Sequence, residues 1–193
     1  EGIQVGVIPE KRFEKLWSED GCLMVLLGPT DIISALKSNE DKTKSNRLCF
    51  ESEKFSLQKQ TQETIASLEK AIELNPDNST ALCLLGGVLN EQNNPECVSY
   101  YEKSLEKNKN CYLAYRGLGN FYLKNQQFDK SEKNYTRAIE INDNRFGPIY
   151  KNRGYVRQQQ NKIDDAKQDY QSYIKFTPNA KDRGMIERAL NEM

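Results

Sequence analysis

The sequence contains no histidine, and this absence removes several classes of enzyme. Hydrolases that activate a serine or cysteine with an imidazole base are excluded, as are the usual zinc sites that need imidazole. No G-x-x-x-x-G-K-[ST] stretch occurs, so no phosphate-binding loop is predicted. The carboxylate pairs Glu19–Asp20 and Asp164–Asp165 stand at turns and helix starts, where capping and the helix dipole account for them. We therefore predict a non-catalytic chain with no cofactor and no metal site.

The chain also lacks an excess of charge, because 28 Lys and Arg residues balance 28 Asp and Glu residues. No global field would hold a polyanion, and we predict no nucleic-acid partner. The longest apolar run extends only from Cys22 to Leu27, whereas a membrane-spanning helix needs about 18 apolar residues or more. With 37% hydrophobic and 29% charged residues, the composition is typical of a soluble protein.

The sequence contains five cysteines, and no two of them are close together in the chain. Cys22, Cys49, Cys83, Cys97 and Cys111 lie far apart, with no pair at the spacing of a zinc site or a redox motif. Free thiols favour a reducing compartment, and we predict a cytoplasmic location. The sequence begins at Glu1 without a charged and then apolar leader. We expect a fragment or a processed product, so an upstream leader or domain stays possible.

A period of about 34 residues runs through the chain. Gly86, Gly119 and Gly154 lie 33 and 35 residues apart, and each is followed 15 or 16 residues later by a tyrosine, namely Tyr101, Tyr135 and Tyr170. A small residue stands four positions before each tyrosine and an aliphatic residue four positions after it, which is the spacing of one apolar helix face. Each unit is therefore predicted to consist of two helices.

The glycines raise a question of helix stability. Gly117 and Gly119 both fall inside the predicted helix "AYRGLGNFYLK", where glycine costs about 1 kcal/mol relative to alanine. We predict that Gly119 allows another backbone to approach closely where the two helices of a unit cross. We also predict that the three repeated tyrosines are core residues. The pattern assigns no role to Gly117.

The period extends in both directions from the clearest unit, residues 112–145. Residues 147–180 and 79–111 repeat its pattern, and residues 45–78 repeat it only in their second helix, through Leu68, Ala71, Ile72 and Pro76. The predicted array thus covers residues 45–180, with 45–78 as a degenerate unit. The places filled in unit 112–145 are Tyr115, Leu118, Gly119, Tyr122, Phe128, Ser131, Tyr135, Ala138 and Ile139.

These residues resemble the tetratricopeptide repeat family, whose unit of about 34 residues is a helix–turn–helix. The resemblance implies an all-α fold, a right-handed superhelix of antiparallel helix pairs with three clear repeats and one degenerate repeat. Unit 147–180 departs from the family pattern at Arg157, where an aromatic residue is usual.

The two ends fall outside this pattern. Residues 181–193 are predicted to form a closing helix after a cap at Asn179, with Ile186 and Leu190 on its apolar side. Residues 1–44 are predicted to hold two short helices, "PEKRFEKLW" and "PTDIISALK", and to be a cap, a degenerate repeat or the end of an upstream domain. The polar stretch 37–46 is predicted to be a loop or linker.

The resemblance implies a non-catalytic protein-interaction scaffold that binds a peptide or a helix of a partner on the concave face, along the first helices. Most of the implied groove residues are basic or carry amides, which suits acidic or carboxylate-bearing peptide groups. Unit 79–111 adds Cys83, Gly87, Asn90 and Glu91, which are neutral to acidic. The groove residues implied for the last two units are Arg116, Asn120, Leu123, Lys124, Lys151, Asn152, Tyr155, Gln158 and Gln159.

Two other functions stay open from the sequence. The array is also consistent with a recruitment module of a larger enzyme or of a bacterial envelope-anchored protein. Alternatively, it resembles the carboxylate clamp of co-chaperones in this family at Arg116, Asn120 and Asn152. That match breaks at Asp182 and Ile186, where the clamp pattern has cations. The pattern does not indicate the oligomeric state or the partner.

Overall fold

The computed structural model describes residues 29–142 and 147–193, with side chains from residue 37 onward. Within these ranges every regular element is an α-helix. The helices are α1 (Pro29–Leu57), α2 (Thr61–Leu74), α3 (Ser79–Glu91), α4 (Cys97–Lys107), α5 (Tyr112–Lys124), α6 (Phe128–Ile141), α7 (Gly147–Gln159), α8 (Ile163–Phe176) and α9 (Arg183–Glu192).

Consecutive helices pack as pairs, α1 with α2, α3 with α4, α5 with α6 and α7 with α8, and α9 packs on α8. The first helices of the pairs also touch one another, α1 with α3, α3 with α5 and α5 with α7. The predicted all-α superhelix of helix pairs is confirmed. Among the described helices, the second helices of successive pairs do not touch one another, so the row of first helices forms the concave side.

The turn inside each pair repeats with the same backbone geometry. One residue in each turn has φ between 56° and 61°, namely Lys59, Asn93, Gln126 and Asn161. This is the left-handed backbone region, which residues other than glycine adopt at a cost. The next amide in each turn donates to a carbonyl five residues earlier, as Gln127 N does to Tyr122 O at 2.9 Å. The first pair of helices has this turn too, although its first helix does not match the family pattern.

The predicted loop at 37–46 is wrong, because α1 runs through it without a break. Its lysines and Glu40 are good helix formers, whereas its Ser, Asn, Asp and Thr residues are weaker ones. Glu40 and Lys44 form an i,i+4 pair at 2.6 Å on the exposed face. The opposite face packs on α2, where the buried Ser45 Oγ donates to Ala71 O at 2.6 Å. Of the two short helices predicted in residues 1–44, the second is the start of α1 and the first lies outside the described residues.

The three repeated glycines pack against tyrosine rings of the paired helix. At Gly119 the nearest atoms belong to a ring and not to a second backbone as predicted, whereas at Gly86 the backbone oxygen of Cys97 also lies 3.2 Å from the place of a Cβ. A Cβ at Gly119 would lie 2.6 Å from the ring of Tyr135, and one at Gly154 would lie 3.1 Å from the ring of Tyr170. Tyr101, Tyr135 and Tyr170 are 3%, 0% and 4% exposed, which confirms the prediction that they are core residues. Each glycine leaves room for a ring of the paired helix.

Gly117 also has a packing role. A Cβ at this position would lie 2.2 Å from Cζ of Tyr101, and Cδ1 and Cε1 of the same ring lie 3.0 Å from the place of a Cβ at Gly86. The ring of Tyr101 therefore occupies a slot between α3 and α5. Gly86, in the same repeat as Tyr101, and Gly117, in the next repeat, both lack the Cβ that would collide with this ring.

Arg157, the departure from the family pattern in α7, belongs to a buried ionic cluster. Its Nη1 lies 2.9 Å from Asp169 Oδ2 and its Nε 2.9 Å from Glu132 Oε1. Arg153 binds Asp169 through two further contacts, at 2.7 and 2.9 Å. The cluster ties α6, α7 and α8 together where an aromatic residue would otherwise pack.

The closing helix begins later than predicted. Asn179 is not its cap, because the chain turns through residues 177–182 and α9 starts at Arg183 with Asp182 at the N-cap position. The carboxylate of Asp182 is engaged by Lys151 and by the hydroxyl of Tyr173 instead. Ile186 is 7% exposed, and Leu190 packs against the same core, as the predicted apolar face requires.

Candidate functional site

A cavity of about 720 Å³ opens on the concave face, between the first helices of the repeats. Its walls come from α1, α3 and α5, with α2, α4 and α7 contributing single residues or pairs. The lining residues are Ser52, Glu53, Ser56, Leu57, Thr64, Leu68, Cys83, Leu84, Gly87, Val88, Asn90, Glu91, Tyr101, Leu113, Arg116, Gly117, Asn120, Leu123, Lys124 and Asn152.

The floor of the cavity is apolar. Leu84 and Val88 of α3 and Leu113 and Leu123 of α5 lie on it, and all four also pack against the hydrophobic core. Leu57 extends the apolar surface to the rim and is 87% exposed. A partner that places an apolar side chain here would remove this surface from water, at about 25 cal/mol per Å² buried.

The charged lining residues are divided by sign along the groove. Glu53 of α1 and Glu91 of α3 lie on one wall, and Arg116 and Lys124 of α5 lie on the other. Lys124 Nζ donates to Asn90 O at 3.0 Å, which places a cation at the carboxyl end of α3, where the helix dipole favours it. The cavity is therefore acidic toward the first repeats and basic toward α5.

Buried tyrosines fix two amides on the concave side. The hydroxyl of Tyr135 donates to Asn120 Oδ1 at 2.7 Å, and that of Tyr170 donates to Gln158 Oε1 at 3.0 Å. Asn152 Nδ2 donates to the same Asn120 oxygen at 3.3 Å. Burial raises the pKa of each of these tyrosines to about 12, so both hydroxyls stay protonated donors. Since the oxygen of Asn120 accepts these bonds, its NH₂ group is left to face the cavity.

Asn90 has the opposite arrangement. It is 6% exposed and its Nδ2 faces Gly117 O at 3.4 Å. Its Oδ1 is buried and has no hydrogen-bond partner in the described structure. A buried acceptor without a donor is costly, and this one lies in a residue that lines the cavity.

The structure brings five of the nine predicted groove residues to this cavity, namely Arg116, Asn120, Leu123, Lys124 and Asn152. The other four lie further along the array. Lys151 Nζ binds Asp182 Oδ2 at 2.8 Å and lies over the ring of Tyr173, so its charge is neutralised locally. Tyr155 is exposed, Gln159 is exposed and Gln158 holds Tyr170.

The acidic wall from α1 was missed in the sequence. Ser52, Glu53, Ser56 and Leu57 all line the cavity, but the first helix of unit 45–78 carries too little of the family pattern to place them. The only signal was the period itself, since Glu53 lies 33 residues before Gly86. Of the residues expected from unit 79–111, Cys83, Gly87, Asn90 and Glu91 all line the cavity.

Two thiols lie at the edge of this site. The pKa of Cys111 is lowered to about 5, chiefly by a hydrogen bond from the Cys83 thiol. The pKa of Cys83 is raised by the same contact and by burial. Cys111 immediately precedes α5, whose N-terminus also favours a thiolate.

A second cavity, of about 990 Å³, lies between α4 and α6. Tyr115 and Tyr122 line it together with charges of both signs, among them Glu102 and Lys133. In the described parts of the chain no group of ionisable residues is arranged to hold a metal ion. None of the described helices combines the length and the apolar character that crossing a membrane would need.

A family model described as tetratricopeptide repeat matches residues 55–78 and 114–145. Within these two ranges the chain carries tetratricopeptide repeats. The two matched ranges cover the turn and second helix of the degenerate first unit and nearly all of unit 112–145. The degenerate unit is thus recognised through its second half, where its pattern is clearest.

Curated relatives of this repeat protein come from eukaryotes and a bacterium. It is 33% identical over 98 residues to anaphase-promoting complex subunit 3 of Schizosaccharomyces pombe, which covers 50% of this chain and 15% of the relative. It is 27% identical over 145 residues to a cell division cycle protein 27 homologue of Caenorhabditis elegans, covering 70% of this chain and 18% of the relative. The repeat protein therefore spans less than a fifth of the length of these two relatives.

Solved structures share the fold. A Pseudomonas aeruginosa PilF structure superposes with a TM-score of 0.72 at 16% identity, covering 79% of this chain and 70% of that one. A MamA structure superposes with a TM-score of 0.61 at 18% identity, covering 77% of this chain and 85% of that one. At these identities the likeness describes the arrangement of helices alone.

Proposed function

We propose that this repeat protein is a non-catalytic scaffold that binds an extended peptide or a helix of a partner protein in its concave groove. The observation that carries the proposal is the open cavity, in which an apolar floor is surrounded by polar side chains from three first helices. This combination is typical of binding sites, where apolar contact supplies affinity and a few polar groups fix orientation.

The comparisons support a scaffold in general terms. Tetratricopeptide repeats form extended concave surfaces, and the name of the fission-yeast relative describes a subunit of a larger complex. The sequence offers no imidazole for catalysis, in agreement with a binding role.

Acidic or carboxylate-bearing groups of the partner would lie over α5, where Arg116, Lys124 and the NH₂ group of Asn120 supply cations and donors. A co-chaperone-like clamp would use Asn152 as well. We favour the α5 wall alone, because the charge of Lys151 is already neutralised by the carboxylate of Asp182, whereas Lys124 binds the neutral oxygens of Asn90 and Asn93.

The test blocks the cavity without disturbing the core. A Cβ at Gly87 would meet only Tyr101 Oη, at 4.0 Å, so Gly87→Phe directs its ring into the cavity and removes a helical glycine. The matched control is Gly184→Phe on α9, where a Cβ meets nothing within 4 Å. Peptides selected by the full chain from a random 12-residue phage library supply the probe.

We expect Gly87→Phe to weaken the selected peptides at least about tenfold, which corresponds to about 1.4 kcal/mol of lost binding. Gly184→Phe should bind them like the unmodified chain, and circular dichroism should show the same helicity for all three proteins. Selected peptides that bind Gly87→Phe as tightly as the unmodified chain, or a library that yields no binder, would contradict the proposal.

A further inference from the structure

The chemistry of the cavity is polarised along the groove, in charge and in hydrogen bonding together. On the α1–α3 wall, Glu53 and Glu91 are acidic and the buried Oδ1 of Asn90 is an acceptor without a donor. On the α5 wall, Arg116 and Lys124 are cationic and Asn120 presents an NH₂ group. Carboxylate acceptors thus lie on α1 and α3, and the donors belong to α5, although Lys124 reaches across to Asn90 O at the end of α3.

The hydrogen bonds fix this polarity. The oxygen of Asn120 is occupied by the hydroxyl of Tyr135, at 2.7 Å, and by Asn152 Nδ2, at 3.3 Å, so the amide cannot turn its oxygen to a ligand without losing both bonds. In Asn90 the nitrogen faces Gly117 O at 3.4 Å and the oxygen is left over. The amide of Asn120 can therefore offer a ligand only its NH₂ group, whereas the oxygen of Asn90 is buried beneath the groove surface.

We propose, on the basis of the groove function above, that the occupant is a peptide segment with a basic side chain over the α1–α3 wall, a carboxylate over the α5 wall and an apolar side chain between them. The basic group lies between the exposed carboxylates of Glu53 and Glu91. The carboxylate accepts from the α5 donors. The apolar side chain lies on Leu84, Val88 and Leu123.

The helix spacing sets the distance between the two charges of the peptide. Packed helices lie about 8–10 Å apart, so α3 and α5 are separated by one such step and α1 and α5 by two. An extended peptide rises about 3.3 Å per residue. The basic and acidic residues should therefore lie about three to six positions apart.

The experiment uses the library peptides with a double charge reversal on the acidic wall, Glu53→Lys with Glu91→Lys. Its matched control is Glu69→Lys with Glu106→Lys, two exposed glutamates outside the cavity on α2 and α4. The second arm uses a variant of each selected peptide in which every basic residue is changed to Glu; we call it the inverted peptide. Binding is measured by fluorescence polarisation on the full chain.

We expect the selected peptides to carry opposite charges at the stated spacing. The groove reversal should weaken them about tenfold or more, while the control reversal changes binding less than about twofold, since only close charge pairs matter at this range. The inverted peptide should bind the reversed groove better than the natural groove. This exchange of preference cannot arise from damage to the fold.

Peptides that Gly87→Phe blocks but that lack the charge order would overturn this inference and leave the groove function standing. The same holds if the inverted peptide gains nothing from the reversed groove. Peptides that are indifferent to Gly87→Phe would overturn the groove function and this inference with it.

Discussion

Alanine substitution at two helical glycines should change stability in opposite directions. Gly87 and Gly117 both lie inside helices, so alanine stabilises the helix by about 1 kcal/mol at either position. At Gly87 the new methyl group has room, with Tyr101 Oη 4.0 Å away. At Gly117 it would lie 2.2 Å from Tyr101 Cζ, well inside van der Waals contact.

The cost at Gly117 follows from the slot that holds the ring. Tyr101 is 3% exposed, and its ring also packs closely on Gly86, so it has little room to move. Overpacking typically costs about 1–3 kcal/mol, and a buried ring in close contact with glycines of two helices belongs at the upper end. After the gain in helix propensity, Gly117→Ala should lose about 2 kcal/mol and Gly87→Ala should gain about 1 kcal/mol.

Urea unfolding followed by circular dichroism at 222 nm measures the difference. With a denaturant slope of about 3 kcal/mol per M, the midpoint should rise by about 0.3 M for Gly87→Ala and fall by about 0.7 M for Gly117→Ala. In a Tyr101→Leu background, Gly117→Ala should no longer destabilise, because the ring is gone. Two results would refute the packing of Tyr101 against Gly117: equal midpoint shifts for the two alanine variants, or the same destabilisation by Gly117→Ala in the Tyr101→Leu background as in the unmodified chain.

Three further predictions concern a turn, the ionic cluster and a thiol. Gln126→Gly should stabilise the chain by about 0.5–1 kcal/mol in urea unfolding, because glycine adopts φ 56° without strain; a lower midpoint would contradict this. Asp169→Ala should destabilise it by about 3 kcal/mol, since two largely buried guanidinium groups lose their carboxylate. Glu187→Ala, in an exposed pair, should cost less than about 1 kcal/mol. Cys111, with its pKa lowered to about 5, should react with iodoacetamide at a rate that is nearly constant between pH 6.5 and 8. Cys49, with its pKa raised to about 11 by burial, should react far more slowly at every pH. Peptide mapping measures both rates, and a Cys111 rate that rises about tenfold per pH unit, as for an ordinary thiol, would contradict this prediction.

The repeat and the core tyrosines could be predicted from the sequence because both depend on local periodicity. A glycine and a tyrosine at fixed spacing must meet when two helices of standard geometry pair. The role of Gly117 could not be predicted in this way, since its contact is with Tyr101 of the preceding repeat. Contacts between repeats depend on the rotation from one unit to the next, which no spacing within a unit encodes.

The groove was predicted in part. Arg116, Asn120 and Lys124 were placed by the family pattern, whereas Glu53 required the course of α1, a helix whose polar sequence we predicted to be a loop at 37–46. Lys151 was expected to face a ligand, but Asp182, 31 residues later, binds it. Long-range ion pairs of this kind are invisible to a pattern read along the chain.

The most direct test of the account is to map where a selected peptide lies on the full chain. A peptide from the library is made with a photoreactive leucine analogue in place of its central apolar residue, and the cross-linked residues are identified by mass spectrometry. The account predicts cross-links to Leu84, Val88 and Leu123 on the floor of the concave cavity. Cross-links concentrated at Tyr115 and Tyr122, in the second cavity between α4 and α6, would contradict it.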